Sequence, residues 1–159
     1  MEKLLKLLNE NARYTNHELA TMLNLDETEV AKKLDQLEKD GVICGYKPMY
    51  NWELAYPDKV SALIELKVIP QAVAGFDEIA EKIMSFEDVT SVYLMSGSYD
   101  LAVQVVGRTF HEVALFVSET LAVMDPVQST TTHFVLKRYK DMGVSLIGDK
   151  KDDRGNIVL

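Results

Sequence analysis

Two groups of residues in this chain of 159 combine side chains and spacing suited to recognition chemistry. The first is the run Ser96-Gly97-Ser98-Tyr99-Asp100. Backbone N–H groups around Gly97 and the Ser98 hydroxyl are donors suited to a carboxylate. Asp100 is an acceptor suited to an ammonium through a charge-assisted bond. Together they match the two ends of a zwitterionic amino acid, although Gly, Ser and Asp are also the ordinary residues of a hairpin turn. The second group is Thr28, Glu29, Lys32, Lys33 and Gln36, which on a helix lie away from the apolar positions Val30, Leu34 and Leu37. Such a face is either solvated or set against phosphates and base edges.

Catalytic patterns are weak by comparison. His111-Glu112 is not followed by a second His at the spacing of a zinc protease, and His17, His111 and His133 fall in three different elements. No glycine-rich phosphate loop or nucleophile elbow is present. The single cysteine, Cys44, excludes an internal disulfide and a cysteine-only zinc cage, and reads as a packed residue of an apolar strand. The expectation is a protein that is not an enzyme, with no catalytic residues, metal or cofactor.

The elements that position the two groups follow from caps and periodicity. Thr15-Asn16-His17-Glu18 and Asp26-Glu27-Thr28-Glu29 each place a capping side chain three residues before a Glu. Leu19, Ala20 and Leu23 form the apolar stripe of the first helix, which Asn24 ends; Gly41 stops the second at a left-handed position. Two short helices in this order form a helix-turn-helix, whose second helix typically enters a DNA major groove. A helix carrying Leu4, Leu5, Leu7 and Leu8 precedes them, and Val42 to Tyr46 follows as a short strand-like run. This domain spans residues 1–46. From Lys47 to Lys59, Pro48, Asn51, Pro57 and Asp58 break any period, so the stretch reads as a linker, with Tyr50, Trp52 and Tyr56 packed on something.

Residues 60–159 read as strand, helix, strand, strand, helix, strand, the ferredoxin-like βαββαβ arrangement, followed by a tail. The strands are Val60 to Ile69, Val89 to Met95, Leu101 to Val106 and Val127 to Tyr139; the helices carry Phe76, Ile79, Ala80 and Ile83, then Phe110, Val113, Val117 and Leu121. An apolar run, Val144 to Ile147, precedes a charged segment from Asp149 to Arg154, and Ile157-Val158-Leu159 could add an edge strand. Two helices cover one face of a four-stranded sheet. The other face carries Leu63, Tyr93, Met95, Ala102 and Val106, so a two-fold dimer packed sheet on sheet is expected to bury it. The fold class is therefore α+β, a winged-helix-like helix-turn-helix domain joined to a ferredoxin-like domain.

Charge limits what the first domain can do alone. The chain carries a net −8, and residues 1–50 hold seven Lys and Arg against nine Asp and Glu. Lys and Arg contacts to phosphates supply most DNA affinity, so one copy binds weakly and several copies must act together. No apolar run approaches the length of a membrane span and no signal-peptide pattern opens the chain, so a cytoplasmic protein is expected.

The residues resemble those of the Lrp/AsnC, or feast/famine, family of transcriptional regulators. Asn11-Ala12-Arg13, Glu18-Leu19-Ala20, and the run from Val30 through Leu37-Glu38 to Gly41-Val42-Ile43 and Gly45-Tyr46 follow its helix-turn-helix pattern. Gly97-Ser98-Tyr99-Asp100-Leu101 is similar to the "G.yD" signature of its effector domain, and Thr130 to Val135 to its final strand. The resemblance implies an amino-acid-responsive regulator that binds double-stranded operator DNA and assembles as dimers into an octamer or another assembly of dimers, with the effector held between dimers. It implies DNA contacts from Lys32, Lys33 and Gln36, with Thr28 beside them and Thr15 and Asn16 at a helix N-terminus near phosphates. It places Ser96, Gly97, Ser98, Tyr99, Asp100 and Thr132 at the effector site.

The chain departs from the family in its second capped helix, where Asp26, Glu27, Glu29, Lys33, Asp35 and Gln36 stand in place of a Ser cap and several Arg. Lysine is a point charge without the fork that reads guanine. Tyr56-Pro57 also replaces a common Leu-Gly. Two other readings stay open: a small-molecule-sensing oligomeric module with weak or lost DNA binding, and an enzyme like the sirohaem decarboxylases of this layout. The second would have to gather Arg108, Arg138, Arg154, His111 and His133 around a tetrapyrrole.

Overall fold

A computed structural model describes residues 1–69 and 75–147 of the chain. The expected charged tail and edge strand after residue 147 lie outside them. The chain divides into two compact units, Met1–Met49 and Tyr50–Leu159.

The first unit packs three helices, α1 (Glu2–Glu10), α2 (Asn16–Leu23) and α3 (Glu27–Lys39). Leu4, Leu19, Ala20, Val30 and Leu37 are buried together, with Leu8, Leu34 and Ile43 packed around them. Fully burying a Leu or Val contributes about 1.5–3 kcal/mol, so these few side chains carry most of the unit's cohesion. Both helices of the motif end in a left-handed residue, Asn24 at φ 53° and Gly41 at φ 69°. The reversed chain is then bonded back: Leu25 N–H donates to Ala20 C=O at 3.0 Å and Val42 N–H to Leu37 C=O at 2.9 Å. These bonds satisfy carbonyls that a helix end leaves open.

Two expectations for this unit fail. Asp26 occupies the N-cap of α3, yet its side chain makes no cap hydrogen bond. Glu29 N–H, the donor a cap would use, goes instead to the Asp26 backbone C=O at 3.0 Å, and the Asp26 and Glu29 carboxylates repel each other. The Val42 to Tyr46 run forms no strand. A strand needs a ladder partner, and among the described residues this unit contains none. Ile43 instead packs on the helices, its N–H donating to Leu37 C=O at 3.1 Å.

The second unit is a four-stranded antiparallel sheet in the order β2-β3-β1-β4, made of β1 (Val60–Val68), β2 (Val89–Leu94), β3 (Leu101–Gly107) and β4 (Val127–Phe134). A short helical turn, α4 (Trp52–Ala55), precedes β1. Then α5 (Asp77–Met84) and α6 (Phe110–Phe116), which runs on into a π-helical turn over Val117–Leu121, fill the two crossovers. Ile64, Leu66, Val68, Leu101, Val103 and Val105 on the strands and Ile79, Ile83, Val117 and Leu121 on the helices form one buried cluster. The order is βαββαβ, as the strand and helix periods predict. β4 ends at Phe134, however, five residues before the expected Tyr139. Its partner β1 begins at Val60, and Val135 N–H makes the last bond, to Ser61 C=O at 2.9 Å. Beyond it no rung is left.

Side chains alternate across a strand, so the register assigns Leu63, Glu65, Ala102, Gln104, Val106, Tyr93, Thr131 and His133 to the face away from the helices. The apolar members are there as expected, but the face is mixed. His133 Nε2 stands 3.2 Å from Glu65 Oε1 among them.

The part of the expected linker after Met49 is folded into the second unit. Asn51 caps α4 through Leu54 N–H at 3.3 Å and donates its amide to Leu146 C=O at 3.0 Å. Glu53 Oε1 accepts Arg138 N–H at 2.9 Å, and the Arg138 guanidinium lies 4.5 Å from the centre of the Trp52 ring. Those contacts clasp a small hairpin, β5 (Lys140–Asp141) and β6 (Val144–Ser145), which the tail's composition did not announce.

Candidate functional site

Thr28, Lys32, Lys33 and Gln36 of α3 are all exposed, on the side of the helix away from Val30 and Leu37. Only part of that side is free. Lys33 Nζ lies 3.4 Å from Glu29 Oε1, and Gln36 Nε2 donates to Asp40 Oδ1 at 2.7 Å. Among the described residues, Lys32 has no ion-pair partner. Of these four residues, one is therefore an unpaired cation, flanked by two groups already engaged with acids.

Thr15 and Asn16 open α2. Thr15 is exposed and Asn16 half-buried. The capping box is complete: Glu18 N–H donates to Thr15 Oγ1 at 3.2 Å, and Glu18 Oε2 accepts Thr15 N–H at 2.7 Å. The same oxygen accepts the Thr15 hydroxyl at 3.0 Å. Thr15 N–H, and then its hydroxyl, hold the Glu18 carboxyl below its ordinary value. A phosphate approaching this helix end thus meets donors already occupied by a carboxylate. The signal for that was in the sequence, since the Glu that completes the box is the charge that fills it. His17 Nδ1 also lies 3.6 Å from Glu27 Oε2, a link between α2 and α3 that spacing alone did not suggest.

The turn between β2 and β3 is built differently. Ser96, Gly97 and Ser98 are exposed, and Tyr99 and Asp100 half-buried. Both ends are pinned. Met95 N–H donates to Asp100 C=O at 2.8 Å, and Asp100 N–H to Leu66 C=O at 2.9 Å. The Asp100 carboxylate accepts Val68 N–H at 2.9 Å through Oδ2. Between these bonds, the N–H groups of Ser96, Gly97, Ser98 and Tyr99 donate to no other group among the described residues. Successive unpaired donors on an exposed turn pinned at both ends are open to an acceptor from outside the chain. Thr132 does not join it within one chain. It pairs with Ile64 on β4, two strands across from β3 and hence roughly 10 Å away in the sheet.

Two concavities lie apart from these residues. One, of about 350 Å³, is lined by Arg108, Thr109, His111, Glu112 and Leu115 beyond the far end of β3. There Arg108 and Glu112 pair with each other at 3.0 Å, which raises the guanidinium's affinity for its proton and lowers that of the carboxyl. The other, of about 210 Å³, lies between α5 and the start of β4, lined by Ile79, Lys82, Met124 and Asp125 among others. Among the described residues no three His, Cys, Asp or Glu are grouped to hold a metal, and no helix is long and apolar enough to cross a membrane. Cys44 is exposed rather than packed, because the strand expected around it does not form; its Sγ–H donates to Gly41 C=O at 3.2 Å.

Comparison with known proteins matches both units. Residues 61–145 match the Lrp/AsnC ligand binding domain, and residues 2–43 a winged helix-turn-helix DNA-binding domain. The chain is 43% identical over 158 residues to the HTH-type transcriptional regulator YugG of Bacillus subtilis, covering 99% of this chain and 94% of that one. It is 26% identical over 138 residues to the leucine-responsive regulatory protein of Haemophilus influenzae, covering 87% of this chain and 82% of that one. Among solved structures it is similar to a transcriptional regulator of Neisseria meningitidis in complex with L-Met. That match has 27% identity and a TM-score of 0.71, and covers 91% of this chain and 93% of the other.

Proposed function

Because the chain belongs to the Lrp/AsnC family of DNA-binding transcriptional regulators, with a ligand-binding domain behind its helix-turn-helix, we propose that it is an amino-acid-responsive member acting as an assembly of dimers. The observation that carries the effector half of this reading is the turn Ser96 to Tyr99. Its four free backbone donors suit a carboxylate. One neighbour of this fold is a regulator solved with L-Met, and one relative is named leucine-responsive. The turn is open to solvent in a single chain, so a second copy is expected to close the site, with Thr132 brought to it only from that copy.

The charge of the helix-turn-helix supports the assembly half. Each head offers Lys32 on α3 as a cation without an ion-pair partner among the described residues, with Thr28, Lys33 and Gln36 nearby and a carboxylate in the α2 cap. Weak heads become useful when several engage one duplex, since the second contact is then intramolecular. An effector that binds one assembly state better than another shifts the spacing of the heads.

The experiment is a thermal-shift panel of the twenty amino acids on the full chain, followed by sedimentation with and without each hit. A stabilising amino acid that also changes the sedimentation coefficient supports the reading. If no amino acid shifts the melting temperature, the effector half is refuted. The same acidic α2 cap and the paired Lys33 favour a second reading, a sensing assembly without useful DNA binding. A gel-shift on the chain's own upstream region at low and moderate salt decides: no shift at either salt establishes the second reading.

A further inference from the structure

We propose that Asp100 is a positioning residue of the effector turn, acting through the backbone of β1 rather than as the counter-charge of a bound ammonium. The inference rests on the reading of the turn as an amino-acid site. The register of β1 with β3 ends at Leu66 opposite Leu101. Val68, two residues further on, is 4% exposed, and its N–H lies past the end of the β3 ladder. Asp100 supplies the missing rung. Its Oδ2 takes Val68 N–H at 2.9 Å, while its own N–H reaches Leu66 C=O at 2.9 Å and its C=O receives Met95 N–H at 2.8 Å.

One residue thus ties the turn to two points on β1 and to Met95, just past the end of β2. The stretch it ties down lies at an irregularity. The register of β1 with β4 shifts between Lys67 and Val68, so the regular ladder on the other side of β1 is interrupted there too. On the β4 side pairing resumes past the shift, with Val68 opposite Val127 and Ile69 N–H donating to Pro126 C=O at 2.8 Å, so it is the β3 flank of this end of β1 that Asp100 holds to the turn. Losing this side chain leaves the N–H of a buried residue without a partner and removes one of the three bonds that hold the turn's last residue, the two backbone bonds remaining. The turn that carries the four unpaired donors from Ser96 to Tyr99 is then held less firmly for a carboxylate.

What this role requires of residue 100 is an acceptor at the right reach, and a negative charge is dispensable. Asparagine has such an acceptor in its side-chain carbonyl, alanine has none, and glutamate places its oxygens one methylene too far. That separates positioning from charge recognition.

The test compares Asp100→Asn and Asp100→Ala with the unaltered chain. Amide exchange of Val68 is followed with Val103 as an internal control, and binding is titrated with L-methionine, then with the other nineteen amino acids. Asp100→Ala is expected to speed Val68 exchange about tenfold or more and to weaken amino-acid binding by a similar factor, as loss of a hydrogen bond to a charged group implies. Asp100→Asn is expected to restore both to within about threefold. Equal loss of binding in both variants, with Val68 still protected in Asp100→Asn, assigns the charge itself to the ligand and overturns the proposal. Unchanged Val68 exchange in Asp100→Ala overturns it as well, and so does unchanged binding in that variant. If the unaltered chain binds no amino acid, the reading of function has failed, and the exchange measurement alone decides whether Asp100 holds the turn. Should Val103 lose protection in Asp100→Ala, the Asp100→Asn arm still decides.

Discussion

Replacing Glu29 by Gln should strengthen DNA binding, and the amount follows from the geometry of α3. Lys33 Nζ lies 3.4 Å from Glu29 Oε1, with the two side chains 43% and 53% exposed. An exposed pair four residues apart on a helix is worth about 0.3–0.5 kcal/mol, so its loss barely affects folding. Its loss frees a cation on the face proposed for DNA. Each phosphate neutralised by a freed lysine steepens the slope of log K against log salt by about 0.9, which at 0.1 M salt corresponds to about eightfold in affinity per head. The assay is fluorescence anisotropy of a labelled duplex titrated with the full chain between 50 and 200 mM salt. A Glu29→Gln, Lys33→Ala double variant should return to the starting slope. If Glu29→Gln leaves both slope and affinity unchanged, Lys33 does not approach phosphate and the α3 face is not the DNA contact.

Four other outcomes bear on the scaffold. Thr15→Ala removes the capping box and should cost about 1 kcal/mol of stability. In the unaltered chain the depressed Glu18 carboxyl contributes stability in full above its ordinary 4.5, which is lost as pH falls through the lowered value. Acid titration of Glu18→Gln by circular dichroism should therefore show a flatter low-pH limb. Leu19→Ala opens the core where the side chain is 1% exposed, at a cost of about 2–5 kcal/mol. A unit this small is held by about 2–7 kcal/mol in all, so circular dichroism should show helix loss while the fluorescence of Trp52, in the other unit, stays unchanged. Gly107→Ala would set a methyl 2.8 Å from Val113 Cγ2, a buried side chain, and should lower the denaturant midpoint by the equivalent of about 1–3 kcal/mol.

How much was legible depends on how far apart the partners stand. The Thr15–Glu18 box spans three residues and was readable as written. The Asp26 box was not, because the pattern records spacing while the Glu29 N–H it needs is taken by the Asp26 backbone C=O. Cys44 was misplaced for a related reason. Apolar alternation from Val42 to Tyr46 is compatible with a strand, but a strand exists only if another offers it a ladder. The turn from Ser96 to Asp100 was visible as a turn. Its free donors and the bond from Val68 to Asp100, 32 residues apart, were not.

The helices of the head, the order of strands and helices, and the family resemblance came from the sequence alone. Those features depend on contacts within a few residues, where caps, stop residues and hydrophobic period act directly on the backbone. Tertiary structure decided where β4 runs out of partner, and how Glu53 and Arg138, 85 residues apart, clasp a hairpin to α4. It also decided that Asp100 faces the end of β1. Such pairings follow from strand register and chain reversal, which set distances that no local spacing encodes.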